Sequence, residues 1–309
     1  MTGQDNSNSP RYATGMGRLL RWFWKVLAVF ALGLALVLLW HNYSLRHPSR
    51  SAFNADLDRA RDRGINWIKD NPLVSERNPS MMYMIADMER MSPDPRLQAV
   101  LDNYQRHYLT RPATVLDFAY YRLVIRNADV PVIRVPDMHG QLNEVVWDAY
   151  AIAADKISLT EEDHASMFSP TMHSWGARQH QLLALATYRD YNGGSPELDD
   201  TMNYLAEKVA RDAHFDFRVG DSSIQRTAFV LAARRPDLIR PRWVETILES
   251  QNGDGTWYAC WYGWCRGVLE FNPNYKTDIG GLDHATVQAT WALTMLKYRY
   301  PQWIEEHYR

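Results

Sequence analysis

Beyond its first fifty residues the chain reads as helix after helix, because apolar residues recur at spacings of three and four rather than two. This rhythm predicts helices over Ala52–Lys69, Pro79–Met91, Pro95–Tyr108, Ala113–Asn127, Asn143–Ala154, Gly176–Tyr191, Glu197–Ala213, Ser222–Arg235, Pro241–Ser250 and His284–Tyr298. Strand-like alternation is nearly absent. The one β-branched run, Val130 to Val135, contains Pro131 and stops at Pro136, so it reads as extended linker.

Before these helices lies an unbroken apolar run, Val26 to Trp40, flanked by Trp22, Phe23 and Trp24 at the level of a membrane interface. Counted from Trp22 to Trp40, with Lys25 snorkelling, it just crosses a hydrocarbon core of about 30 Å. Arg11, Arg18, Arg21 and Lys25 precede it and place the N-terminus in the cytoplasm. His41, Asn42 and Tyr43 follow instead of the small residues of a cleavage site, which favours an uncleaved anchor. The expected organisation is a leader over 1–17, a signal anchor over 18–43 in the cytoplasmic membrane, and an outward-facing, periplasmic domain over 51–309.

The predicted helices repeat. "QLLALATYRDY" from Gln181, "QRTAFVLAARRP" from Gln225 and "QATWALTMLKYRYP" from Gln288 share a polar start and an Ala- and Leu-rich middle, and "ATVLDFAYYRLVIRN" from Ala113 is a fourth copy. Each alternates with a striped amphipathic helix such as "PELDDTMNYLAEKVARD". Apolar helices inside and striped helices outside predict an all-α fold, an α/α toroid behind a single membrane helix.

Composition changes this picture little. The 309 residues carry a formal charge of −2, and no basic face or phosphate-cradling glycine loop points to nucleic acid or a nucleotide. Only two cysteines are present, Cys260 and Cys265, and in an oxidising compartment they would close a disulfide that pins the aromatic stretch around them.

That stretch carries a resemblance. "WVETILESQNGDGTW", from Trp243 to Trp257, resembles the QW repeat of squalene and hopene cyclases, and "GGLDHATVQATWAL" from Gly280 is similar to the helix that follows such a turn in terpenoid cyclases and protein prenyltransferases. The resemblance implies an α/α toroid with a central cavity, in which Gln251 and Trp257 hold the barrel together. The further aromatics Tyr258, Trp261, Tyr262 and Trp264 go beyond that motif and are candidates for a ligand wall, and Trp175, in a separate stretch, is a further candidate ligand-binding aromatic.

The chemistry of those families does not carry over whole. The cyclase Asp-x-Asp-Asp acid is matched only by "ELDDT" at Glu197, which opens an outer helix. The prenyltransferase zinc set needs an Asp-x-Cys pair, and Asp254 and Cys260 stand too far apart, so neither a metal nor another cofactor is expected. Polysaccharide lyases of toroid shape offer an alternative, with "TMHSWGARQHQ" placing His173, Trp175, Arg178 and His180 at an inner helix start, where Arg178 could pair with a uronate. Asp221 with Gln225 and Asp283 with Gln288 begin two further inner helices. His284, Asp283, His173, Arg178 and Asp221 are therefore the candidate catalytic residues, and Gln225 and Gln288 candidate ligand contacts.

Two readings of function remain open at this point. In the first, an enzyme or binding protein takes a glycan or a lipid-linked, isoprenoid-like substrate in the cavity. In the second, a non-enzymatic module holds protein partners in an envelope complex.

Overall fold

The computed structural model describes residues 12–47, 49–72, 79–109, 122, 143–157, 159–171, 175–216, 220–257 and 279–309. Among them are twelve α-helices and no β-strand, so the chain is all-α. They are α1 (Tyr12–Tyr43), α2 (Arg50–Asp70), α3 (Pro79–Met91), α4 (Pro95–Tyr104), α5 (Asn143–Ala153), α6 (Glu161–Phe168), α7 (Trp175–Asn192), α8 (Pro196–His214), α9 (Asp221–Ala232), α10 (Pro241–Glu249), α11 (Ile279–Tyr298) and α12 (Pro301–His307).

Local chemistry sets many of these boundaries. Ser49, Asp94 and Ser195 each accept from a backbone N–H in the first turn of α2, α4 and α8, and Pro95 and Pro196 stand at first-turn positions where the missing N–H costs nothing. The α6 helix opens with a Thr160/Asp163 capping box that periodicity alone does not reveal. At the other end of the scale, α9 stops at Ala232, before the expected Arg235, because Arg234 adopts a φ of 64°. The predicted Pro95–Tyr108 helix leaves α geometry at Tyr104 and continues as a π-helical turn, Gln105–Leu109. In α11 the helix begins at Ile279, before the expected His284.

Burial separates the helices into two kinds. Met81–Met88 of α3, Gln181–Thr187 of α7, Ile224–Ala232 of α9 and Asp283–Leu296 of α11 are buried all round. By contrast α8 buries one stripe, Leu198, Met202, Leu205, Ala206, Val209, Ala210 and Ala213. The helices α5, α7, α9, α11 and α3 pack side by side in that order, with α8 laid over α7 and α9 and with α2 over α11. The threonines of α11 are satisfied locally: Thr290 and Thr294 donate to the carbonyls of Thr286 and Thr290, both at 2.7 Å.

The turn after α10 locks α2 to α11. Gln251 donates from Nε2 to the Ala60 carbonyl (2.8 Å) and to that of Gly255 (3.1 Å). Trp257 is buried, donating its indole N–H to the Ile247 carbonyl (2.7 Å) while its backbone N–H reaches Thr286 Oγ1 (3.1 Å). Gly255 has φ 97°, and a Cβ there would stand 2.6 Å from the Arg63 carbonyl oxygen, so only glycine fits this turn.

The first helix meets the rest of the described chain at its C-terminal end. Gly17–Tyr43 is long and apolar enough to cross a membrane, and its large side chains from Leu19 to Trp40 are exposed apart from Leu38, which is half-buried.

Candidate functional site

Asp221 opens α9, Gln179 and His284 sit in the first turns of α7 and α11, and hydrogen bonds join these three helix beginnings. His284, in the first turns of α11, places Nδ1 2.6 Å from Oδ1 of Asp221, the first residue of α9. Its backbone N–H donates to Asp283 Oδ1 (2.8 Å). On the far side of the ring, Gln288 Nε2 donates to His284 Nε2 at 3.0 Å. The Gln225 amide oxygen, one turn beyond Asp221, accepts from Nε2 of Gln179 in α7. All six side chains are buried.

The electrostatics of His284 are a contest. Burial, the largest single influence, disfavours the charged ring, but the carboxylate of Asp221, its hydrogen bond and the further carboxylate of Asp283 together outweigh it and raise the pKa above the ordinary histidine value. A charged ring has two N–H donors, one for Asp221 and one for Gln288. Gln288 meets that second donor when its amide turns by half a rotation and presents Oε1, an atom that otherwise has no hydrogen-bond partner among the described residues. The amide orientation of Gln288 and the charge of His284 are thus linked.

Two further buried amide atoms, Gln179 Oε1 and Gln225 Nε2, have no partner among the described residues. An unpaired buried polar atom costs on the order of 1–3 kcal/mol. These unpaired amide atoms lie buried at the start of the inner helices, beside the Asp221–His284 pair.

Not every expected residue joins this cluster. Arg178 is turned to Asp212 of α8 (3.4 Å), and His180 packs its ring edge against Phe229. Trp175 is the first residue of α7. His173, Tyr258, Trp261, Trp264 and the expected Cys260–Cys265 disulfide lie outside the described residues. Gln179 is the residue the sequence reasoning passes over: the repeat alignment selects Gln181, whose amide instead caps the carbonyls of Met167 and Ser169 at 2.7 and 2.8 Å. The signal was its place as the fifth residue of α7, matching Gln225 as the fifth of α9. Among the described residues no group of three or more His, Cys, Asp or Glu is gathered as a metal site.

Comparison with known protein families, characterised proteins and solved structures finds no match.

Proposed function

We propose that this chain is a membrane-anchored, outward-facing protein of the α/α-toroid type that binds and acts on a glycan or a lipid-linked, isoprenoid-like substrate at the start of its inner helices. The observation that carries the reading is the buried 2.6 Å contact between Asp221 and His284 from two different inner helices. A carboxylate that both orients an imidazole and raises its pKa makes a ring that holds its proton more firmly than a free histidine and can pass it to a ligand. Asp221 positions; His284 donates or withdraws the proton; Gln179, Gln225 and Gln288 hold polar groups of the ligand.

The side-by-side order α5, α7, α9, α11, α3 with striped helices outside supports the toroid arrangement. Gln251 and Trp257 tying α2 to α11 supports the structural role that the QW-like turn implies. The polysaccharide-lyase variant draws less support, since Arg178 is engaged by Asp212 rather than directed at the cluster. The basic residues before the apolar run Val26–Trp40 support a cytoplasmic N-terminus and an exported domain.

The test is ligand-dependent stabilisation of the full chain in lipid nanodiscs. Polyprenyl phosphate or a uronic-acid oligosaccharide should raise the unfolding midpoint, since a ligand at a hundred times its Kd adds about 2.7 kcal/mol. The shift should vanish in His284→Gln. If neither probe shifts the midpoint, or His284→Gln keeps the full shift, the reading fails.

A further inference from the structure

The end of α1 is built into the domain rather than tethered to it. Asn42, 4% exposed, donates from Nδ2 to the carbonyl of His214 at the C-terminus of α8 (3.2 Å) and accepts from the indole N–H of Trp243 in α10 (3.1 Å). His41 Nε2 reaches the carbonyl of Ala213 (3.4 Å), and the His214 ring packs edge-on against Trp243 at 5.1 Å. The same His41 lines a small cleft with Asp216, Ser223 and Thr227, so the last turn of α1 lies beside the first turns of α9. A buried junction of this kind fixes the attitude of the domain relative to the helix.

Phe215 directly follows His214 and is 62% exposed, the most exposed large apolar side chain in the domain among the described residues. Leu45, three residues after Asn42, is 51% exposed. Arg211, one helical turn before Phe215, is exposed as well. An aromatic, an aliphatic and a guanidinium group beside the end of a membrane-spanning helix form the pattern of an interfacial contact: apolar groups at the acyl boundary, the cation among anionic headgroups.

We propose that Phe215 and Leu45 seat the domain in the headgroup region of the bilayer that α1 crosses, with Arg211 on anionic lipid. The proposal rests on the reading of α1 as a membrane anchor. It brings the start of α9, and with it Asp221, to the membrane side of the domain, so a substrate linked to lipid reaches the cluster without leaving the bilayer.

A benzophenone-bearing amino acid placed in turn at positions 30, 215 and 298 of the full chain, in vesicles of phosphatidylethanolamine and phosphatidylglycerol, tests this. Tyr298 ends α11 about 21 Å along the helix from His284 and serves as the distal control. Irradiation should give lipid adducts at positions 30 and 215 and none at 298, and His284→Gln should leave this pattern unchanged, which separates it from the fate of the ligand site. Position 45 is a second probe should the label at 215 disturb folding. Adducts at 30 without any at 215 or 45, or adducts at 215 only to a second copy of the chain, overturn the docking. No adduct even at position 30 overturns the anchor and the docking together.

Discussion

Gln251 crosses from the turn after α10 to donate to the carbonyl of Ala60 in the middle of α2, 2.8 Å away. Its partner in this turn, Trp257, is buried against Gly64, where any side chain would collide with the Thr290 hydroxyl. The turn is therefore the fastener between an outer and an inner helix. Trp257→Ala should cost about 3–5 kcal/mol, as for a buried tryptophan, and Gln251→Ala about 1–3 kcal/mol, as for its two hydrogen bonds. Chemical denaturation of the full chain in nanodiscs checks both, and an unchanged Trp257→Ala midpoint would count against this role.

The fold was legible because inner and outer helices carry different patterns. A helix buried on all sides, such as α11, needs an apolar run, whereas α8 needs only a stripe, and both signatures survive in sequence. The short helices α6 and α12 span too few turns for periodicity, though Thr160 and Pro301 mark their starts. In the site, Asp221 and His284 were legible as residues opening two inner helices. Their contact was not, since it depends on which helices are neighbours. Gln179 was missed because the alignment fixed its register on Gln181, two residues along.

His284 should titrate above the free-histidine value of about 6.5. In Asp221→Asn the order reverses, because burial is the largest influence and the carboxylate that offsets it is gone. Imidazole NMR on labelled protein should show the midpoint falling in the variant. A midpoint that does not move would remove Asp221 as the partner that sets the charge.

Stability should carry two opposing histidine signatures. The raised pKa of His284 means a contribution fully present below about pH 6.5 that is lost as pH rises through the folded value. His214, lowered by burial and by Arg240, does the reverse: its contribution is present above about pH 6.5 and is lost as pH falls. Wild-type unfolding should thus vary weakly across this window, while His284→Gln should lose stability steadily as the medium is acidified. A variant that parallels the wild type at every pH contradicts the assignment.

An alkaline phosphatase fusion at the C-terminus should be active, as the basic residues before the apolar run Val26–Trp40 require. Peptide mapping without reduction should then find Cys260 joined to Cys265. An inactive fusion together with two free thiols would put the domain in the cytoplasm.

The most direct test of the site is native mass spectrometry of the full chain extracted with its surrounding lipid. The wild type should carry a co-purified glycan or polyprenyl-linked molecule; Asp221→Asn, Gln225→Ala and His284→Gln should lose it while unfolding cooperatively, and Arg235→Ala, whose side chain pairs with Asp237 at 2.8 Å away from the cluster, should retain it. Equal ligand occupancy in all four variants and the wild type would contradict a binding site at the start of α7, α9 and α11.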